Sequence, residues 1–338
     1  MQIKDLGEQG ILQIVQKFCP PDIIGDDGAI LNFPNSRNLV VTSDMLVDDV
    51  HFSDRTTTAF DAGWRATAAN LSDLAAMGAE PLGITVALGL PASTEVNWLE
   101  QLYQGITSCL EQYRTPIVGG DLVRSPIKTI AITAFGHSRP DFKICRHVAK
   151  VNQVIVATGL HGLAKAGLEI LLKPEIADHL SDQVKQKFIQ AHQRPQPRLD
   201  VLKILGEILV SESLPRQFQP QPIAIAGMDS SDGLADAITQ ICRASKVGAY
   251  IDGKSIPIPV EMQKLVSEKE AINWALYGGE DFQLVLCLPI HIGKKLVQKL
   301  QYGATIVGVT TACDTDIVLV DNQGLWQKLT SDRSFQHF

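Results

Sequence analysis

The chain has 338 residues, 45% hydrophobic and 20% charged, with a formal net charge of −7 at pH 7, so there is apolar material for two cores and no Lys/Arg excess of the kind that binds nucleic acid. Its cysteines, Cys19, Cys109, Cys145, Cys242, Cys287 and Cys313, show neither a Cys-x-x-Cys pair nor zinc-type His spacing, and read as buried, reduced thiols. Met1-Gln2-Ile3-Lys4-Asp5 lacks the basic and apolar regions of a signal peptide and no apolar run reaches the roughly 18 residues of a membrane span, so a cytoplasmic protein is expected, without a membrane or nucleic-acid partner.

Taken in order, Ile11, Leu12, Ile14, Val15 and Phe18 recur at helical spacing and Pro20-Pro21 ends that helix. Gly25-Asp26-Asp27-Gly28 follows, and then the β-branched run 39–44, whose polar end places Asp44 at the end of a strand. Beyond Asp48-Asp49-Val50-His51-Phe52, a helix is predicted from about residue 61 to 78. Within it Asn70 and Asp73 are three apart and share a face, while Leu71, Leu74 and Ala75 form an apolar stripe. Asp73 is therefore expected among buried neighbours, where a carboxylate needs a partner or a cation. A strand over 82–88, a helix over 94–113, a short strand 116–118 that delivers Gly119-Gly120-Asp121, and a strand over 128–135 complete the first round.

A second round begins near Arg146, with a strand over 154–157, turn residues Gly159 and Gly162, and a helix over 165–172. Two more helical stretches and a Pro/Gln-rich loop over 214–222 precede the strand 223–225, which feeds Asp229 and Asp232. An amphipathic helix over 233–244 follows, and later Tyr277-Gly278-Gly279-Glu280-Asp281 leads into an apolar strand. Strands alternating with helices in two rounds predict an α/β (α+β) protein of two domains, 1–145 and 146–338, each a mixed sheet flanked by helices.

The aspartate-bearing stretches around Asp27, Asp44, Asp73, Asp121 and Asp229-Ser230-Ser231-Asp232 read as one site. Singly, an Asp beside Ser or Gly is more often a helix cap or a turn residue. Jointly, with Ser-Asp steps at Ser43-Asp44, Ser72-Asp73 and Ser231-Asp232, the balance reverses. Two carboxylates 4 Å apart repel by about 4 kcal/mol at a typical effective dielectric, so a converging set calls for divalent cations. Oxygen donors interleaved with Gly, Ser and Thr suit Mg²⁺. No Walker loop, no G-x-G-x-x-G and no protein-kinase catalytic loop is present, so a nucleotide's phosphates would be held largely through metal.

These residues resemble the thiamine-monophosphate kinase family. The likeness rests on Gly25-Asp26-Asp27, Ser43-Asp44-Met45-Leu46-Val47 with His51-Phe52, the stretch 70–79, Gly119-Gly120-Asp121, Asp229-x-Ser231-Asp232-Gly233-Leu234 and Gly278-Gly279-Glu280-Asp281, in order from about Gly7 to Phe338. It implies an aminoimidazole ribonucleotide synthetase-like fold of two α/β domains, a homodimer formed through the N-terminal sheets, and ATP-dependent phosphorylation of thiamine monophosphate to thiamine diphosphate with several Mg²⁺ ions. It also implies roles for residues: Asp27, Thr42, Ser43, Asp44, Asp73, Asp121, Asp229 and Asp232 as Mg²⁺ ligands; Tyr103, Gly120, Asp121, Arg146 and Ser231 as nucleotide contacts; His51, Glu280 and Phe335 as thiamine-phosphate contacts. The acceptor phosphate is already an anion at neutral pH, its second pKa being about 6, so no catalytic base is assigned and direct in-line transfer is expected.

The plain alternatives are a solvated basic turn for Arg146, a capped loop histidine for His51, a surface aromatic for Phe335 and a turn residue for Glu280. Asp48-Asp49 is assigned to loop charge. Lys150-Val151-Asn152-Gln153 stands where the family has Lys-Pro-Gly-Asp, and Ser334 precedes Phe335 where a glycine is usual. Selenophosphate synthetase-like and HypE-type enzymes are the alternatives within the superfamily, but the first wants a reactive Cys near a glycine-rich N-terminus and the second a C-terminal Cys, and this chain has neither. A non-catalytic nucleotide- or metal-binding module is the alternative from another class, separable by turnover.

Overall fold

The computed structural model describes residues 29–31, 38–212, 223–312, 316–320, 324, 326–330 and 333–334. The helix predicted over 8–18, the first acidic stretch with Asp27, the loop over 214–222, Cys19, Cys313 and Phe335 lie outside the described residues.

Two mixed sheets organise the chain. The first runs in the order β1-β2-β5-β3-β4, from strands β1 (Ala29–Leu31), β2 (Leu39–Val47), β3 (Ala79–Leu90), β4 (Ile117–Arg124) and β5 (Thr129–Ser138). Its pairs are antiparallel except β3 with β4. Between the strands the chain inserts helices α1 (Ala59–Ala76) and α2 (Val96–Glu111), which cross each other. Gly63 and Gly105 permit that crossing, because a Cβ on Gly63 would run into the Leu102 carbonyl and one on Gly105 into the Phe60 carbonyl. The core between the helices and the sheet is formed by residues such as Leu71, Leu74, Ile84, Ile106, Ile130 and Ile132.

The second sheet contains β6 (Phe142–Cys145), β7 (Val154–Ala157), β8 (Ile223–Asp229), β9 (Gly248–Asp252), β10 (Leu284–Leu288), β11 (Thr305–Thr311), β12 (Ile317–Val320) and β13 (Trp326–Lys328). The order is β13-β12-β9-β11-β7-β10-β8-β6, with parallel pairs only at β12–β9 and β6–β8. Central strands β7 and β10 are buried along their whole length, as expected of strands covered on both faces. The helices of this half are α3 (Leu163–Leu172), α4 (Asp182–Gln193), α5 (Leu199–Glu212), α6 (Leu234–Ser245), α7 (Glu268–Tyr277) and α8 (Ile290–Leu300).

Helix α1 links the two halves. Thr58 starts it, its hydroxyl accepting from the Asp61 amide at 3.2 Å, and Gly78, at φ +68°, ends it against Phe142 and Ile144. Its body packs in the first core, while Ala75 and Ala76 belong to a cluster with Ile144, Leu205 and Leu284 of the second half.

Candidate active site

A cleft of about 890 Å³ opens where α1 and β2 face the loops of the second sheet. Period-two alternation in β2 decides what β2 contributes. Val40, Thr42 and Leu46 are buried on one face and Asp44, on the same parity, is half-buried. Asp44 is not at the strand's end, because β2 continues through Met45, Leu46 and Val47 to pair with Ile130 and Thr129. Opposite it, α1 presents Asn70 and Asp73 on one face. The Asn70 Oδ1 accepts from the Asp44 amide at 3.2 Å, and Asp73 Oδ2 accepts a short hydrogen bond from the Thr42 hydroxyl. Ser43 has the other parity: its hydroxyl donates to the Ile132 carbonyl at 3.1 Å and shares a bond with the Thr133 hydroxyl, on the far face of the sheet.

From the second sheet, β8 ends in Asp229, which is fully buried. Both of its oxygens are held, Oδ2 by the Ser72 hydroxyl of α1 at 2.5 Å and Oδ1 by the Ser231 hydroxyl at 3.0 Å. The loop that follows is tied down at Ser230, whose amide donates to the Gln283 carbonyl at 2.8 Å and whose carbonyl accepts from the Gly233 amide at 3.1 Å. Buried His161 stands behind it. Its Nδ1 faces the Gly159 carbonyl at 3.0 Å and so carries the proton, leaving Nε2 to accept from the Ser230 hydroxyl at 3.1 Å. Burial pushes the His161 imidazole down to about 4 and keeps it neutral. Ser231 and Asp232 then reach the cleft wall.

Glu280 stands beside this loop in a left-handed conformation, φ +58°, its amide donating to the Ser231 carbonyl at 2.6 Å. Burial alone would raise its carboxyl, but the Arg65 guanidinium of α1, with His192 nearby, holds it down at about 2. The neighbouring Asp281 behaves oppositely. Burial pushes it up to about 7, although the Gly162 and Ala164 amides at the start of α3 donate to it at 2.6 and 2.9 Å.

Asp44, His51, Asp73, Ser231, Asp232 and Glu280 thus line one cleft. His51 is both a capped loop histidine and a wall residue, its Nδ1 accepting from the Val47 amide at 3.1 Å. Thr42 and Asp229 support that wall through hydrogen bonds. Other residues lie elsewhere. Tyr103 packs on the first core, Gly120 and Asp121 sit on the exposed edge strand β4, and Arg146 precedes the second sheet's core, bonded to Gln240 Oε1 at 2.6 Å. Of the pair assigned to loop charge, Asp48 is matched by Lys128 at 3.1 Å, whereas Asp49 lines the cleft. Arg65 and His192 were not singled out by sequence. A cation between Trp64 and Ala66 in a helix of small and apolar residues was the available signal for Arg65; for His192 there was none.

Among the described residues no three His, Cys, Asp or Glu side chains form a ready-made metal cage. Mg²⁺ does not need one, since it binds through one or two carboxylates and completes its shell with water and phosphate oxygens. Asp44, Asp73 and Asp232 offer hard oxygen donors only, which fits that ion and not zinc.

Residues 25–138 match the family of AIR synthase related proteins, N-terminal domain, and HypE, a hydrogenase maturation protein solved in complex with ATP, shares the fold at TM-score 0.64 and 16% identity over 96% of both chains. A thiamine-monophosphate kinase of Synechococcus elongatus is 47% identical over 99% of this chain and 98% of its own; that of Prochlorococcus marinus is 38% identical over 86% and 85%. AaThiL complexed with AMPPCP and TMP superposes at TM-score 0.83 with 27% identity, covering 100% of this chain and 99% of that one. The chain belongs to the thiamine-monophosphate kinase family.

Proposed function

We infer that this chain phosphorylates thiamine monophosphate with ATP, yielding thiamine diphosphate and ADP, and that the cleft beside α1 is where transfer takes place. The observation that carries this reading is the full-length likeness to thiamine-monophosphate kinases at 47% identity; the acidic cleft supplies the chemistry. One bond forms between an acceptor phosphate oxygen and the γ-phosphorus, and the bond from that phosphorus to the ADP oxygen breaks. The acceptor is already anionic, so the barrier is the approach of two polyanions and no base is needed.

Mg²⁺, when bound, neutralises phosphate charge. We assign its ligation to Asp44, Asp73 and Asp232, with Asp27, Thr42, Ser43, Asp121 and Asp229 added on the family resemblance. Ser43 sits on the far face, so only its backbone is suited to that role. Thr42 orients Asp73, and Asp229, held by Ser72 and Ser231, fixes the loop that presents Asp232. His51 and Glu280 would contact thiamine phosphate and Ser231 the nucleotide; Tyr103, Gly120 and Arg146 are proposed as nucleotide contacts on resemblance alone.

We also propose domains 1–145 and 146–338, each built on one sheet, and a homodimer in the cytoplasm. The dimer is supported by apolar side chains exposed on the first sheet, Met45, Leu82, Val118, Leu122 and Val123, since an exposed apolar patch invites a partner. No helix among the described residues is long and apolar enough to cross a membrane. Incubation with ATP, Mg²⁺ and thiamine monophosphate should yield thiamine diphosphate, whereas a non-catalytic module would bind without turnover. EDTA should weaken ATP binding itself; unchanged affinity in metal-free buffer would remove the metal from nucleotide binding.

A further inference from the structure

We propose that His192 contacts substrate and reads the edge of an aminopyrimidine ring, the feature shared by thiamine and adenine. The inference rests on the kinase reading above and adds a selectivity residue to it. His192 lies in the last turn of α4, a residue 2% exposed, on the wall of the cleft. Neither ring nitrogen makes a hydrogen bond among the described residues. Nδ1 lies 3.5 Å from Glu280 Oε2, an electrostatic contact and not a hydrogen bond. A buried polar group left in that state costs free energy, so it marks a place where a ligand completes the site.

The imidazole cannot swing away to satisfy itself elsewhere, because the segment around it is stapled to the first half. Gln193 Nε2 donates to the Thr56 carbonyl at 2.8 Å, Arg194 Nε to Asp61 at 2.7 Å, and Trp64 Nε1 to the Pro195 carbonyl at 2.9 Å. On the other side, α3 approaches so closely at Gly167 that a Cβ there would lie 3.0 Å from the His192 Cβ.

What ligand group fits follows from the donors. Each imidazole nitrogen donates where it carries a proton and accepts where it does not. Beside it stands a carboxylate that Arg65 keeps ionised and that only accepts. A phosphate is therefore disfavoured here, being an acceptor that would meet an anion. An aminopyrimidine edge complements the pair, its exocyclic N–H group donating to Glu280 while its ring nitrogen accepts from the imidazole nitrogen that faces it and carries the proton. Trp274 and Phe282, on the same cleft wall, offer aromatic surface to the ring's face.

The test is steady-state kinetics of the full chain with His192→Phe, which keeps an aromatic ring without polar atoms, and His192→Asn, which keeps a donor and an acceptor. In His192→Phe the KM of one substrate should rise about ten- to a hundredfold while the other stays within about twofold, and His192→Asn should lose less. If the KM of thiamine monophosphate moves, the preference for it over oxythiamine monophosphate, which carries oxygen in place of the amino group, should collapse toward one. If the KM of ATP moves, the preference for ATP over ITP should collapse instead, and the ring is adenine. Both KM values and both preferences unchanged in a folded variant would overturn the proposal. So would equal losses toward both substrates with a lowered melting temperature, which would make His192 a packing residue. Wild-type protein without thiamine-monophosphate turnover would sink the kinase reading itself, a different failure.

Discussion

Helices α1 and α2 lie side by side and follow opposite rules. In α2 five of sixteen residues are buried, led by Leu102, Ile106 and Cys109 on one stripe, and polar residues such as Asn97, Glu100 and Gln104 face water. In α1 fifteen of eighteen are buried, and the many alanines let neighbours close in from every side. Apart from Thr67, which bonds to the Gly63 carbonyl within the helix, its polar residues are committed to partners elsewhere in the chain: Asp61 to Arg194, Arg65 to Glu280, Asn70 to the Asp44 amide, Ser72 to Asp229 and Asp73 to Thr42. Polarity on a one-sided helix reports solvent. On a helix buried all round it reports a partner, since each such group would otherwise carry an unmet desolvation cost.

Substitutions along the two helices test that contrast. The largest effect belongs to Asp73→Asn, expected to cut turnover at least about a hundredfold and raise the Mg²⁺ requirement with little change in melting temperature, a neutral amide being a poorer partner for a hard cation. Near-normal activity at low Mg²⁺ would remove Asp73 from the metal site. Arg65→Met should destabilise by about 1–3 kcal/mol at neutral pH, less than a fully buried pair because Glu280 is partly exposed. Glu280 is held at about 2, below its ordinary 4.5, so the pair stabilises the folded chain above that ordinary value and the contribution fades as pH falls toward 2. The gap between Arg65→Met and wild type in urea denaturation should therefore narrow over that acid range, and a constant gap would contradict the pairing. Ser72→Ala removes one hydrogen bond to the buried Asp229 carboxylate and should cost about 1–3 kcal/mol. On α2, Glu100→Gln should stay within about 0.5 kcal/mol of wild type; a cost like that of Ser72→Ala would erase the distinction between the helices.

Much of α1 was legible. Three-residue spacing put Asn70 and Asp73 on one face, and both do turn to β2. The helix starts at Ala59 and stops at Ala76, two residues from the expected bounds at each end, where caps decide. Strand ends were harder. The apolar runs place Asp44 and Gly119-Gly120-Asp121 at or beyond strand ends, yet each is inside a strand, because pairing with β5 and β3 extends the ladders past those runs. Motif likeness groups Thr42, Ser43 and Asp44 as equals, while strand parity sends the Ser43 side chain to the other face. The Lys150-Val151-Asn152-Gln153 turn keeps a tight geometry with different residues: Asn152 adopts φ +66° and Gln153 Oε1 accepts from the Lys150 amide at 2.8 Å. The Arg65–Glu280 pair joins residues 215 apart, a contact no local pattern encodes.

If the carboxylates gathered on and around α1 serve phosphoryl transfer to thiamine monophosphate, the reaction depends on Asp73. The most direct test is a side-by-side assay of wild type and Asp73→Asn with γ-labelled ATP, Mg²⁺ and thiamine monophosphate, following label into thiamine diphosphate. The account predicts one labelled thiamine diphosphate per ADP in the wild type and at least about a hundredfold less in a folded Asp73→Asn. Label appearing only as free phosphate, or equal transfer by both proteins, would contradict it.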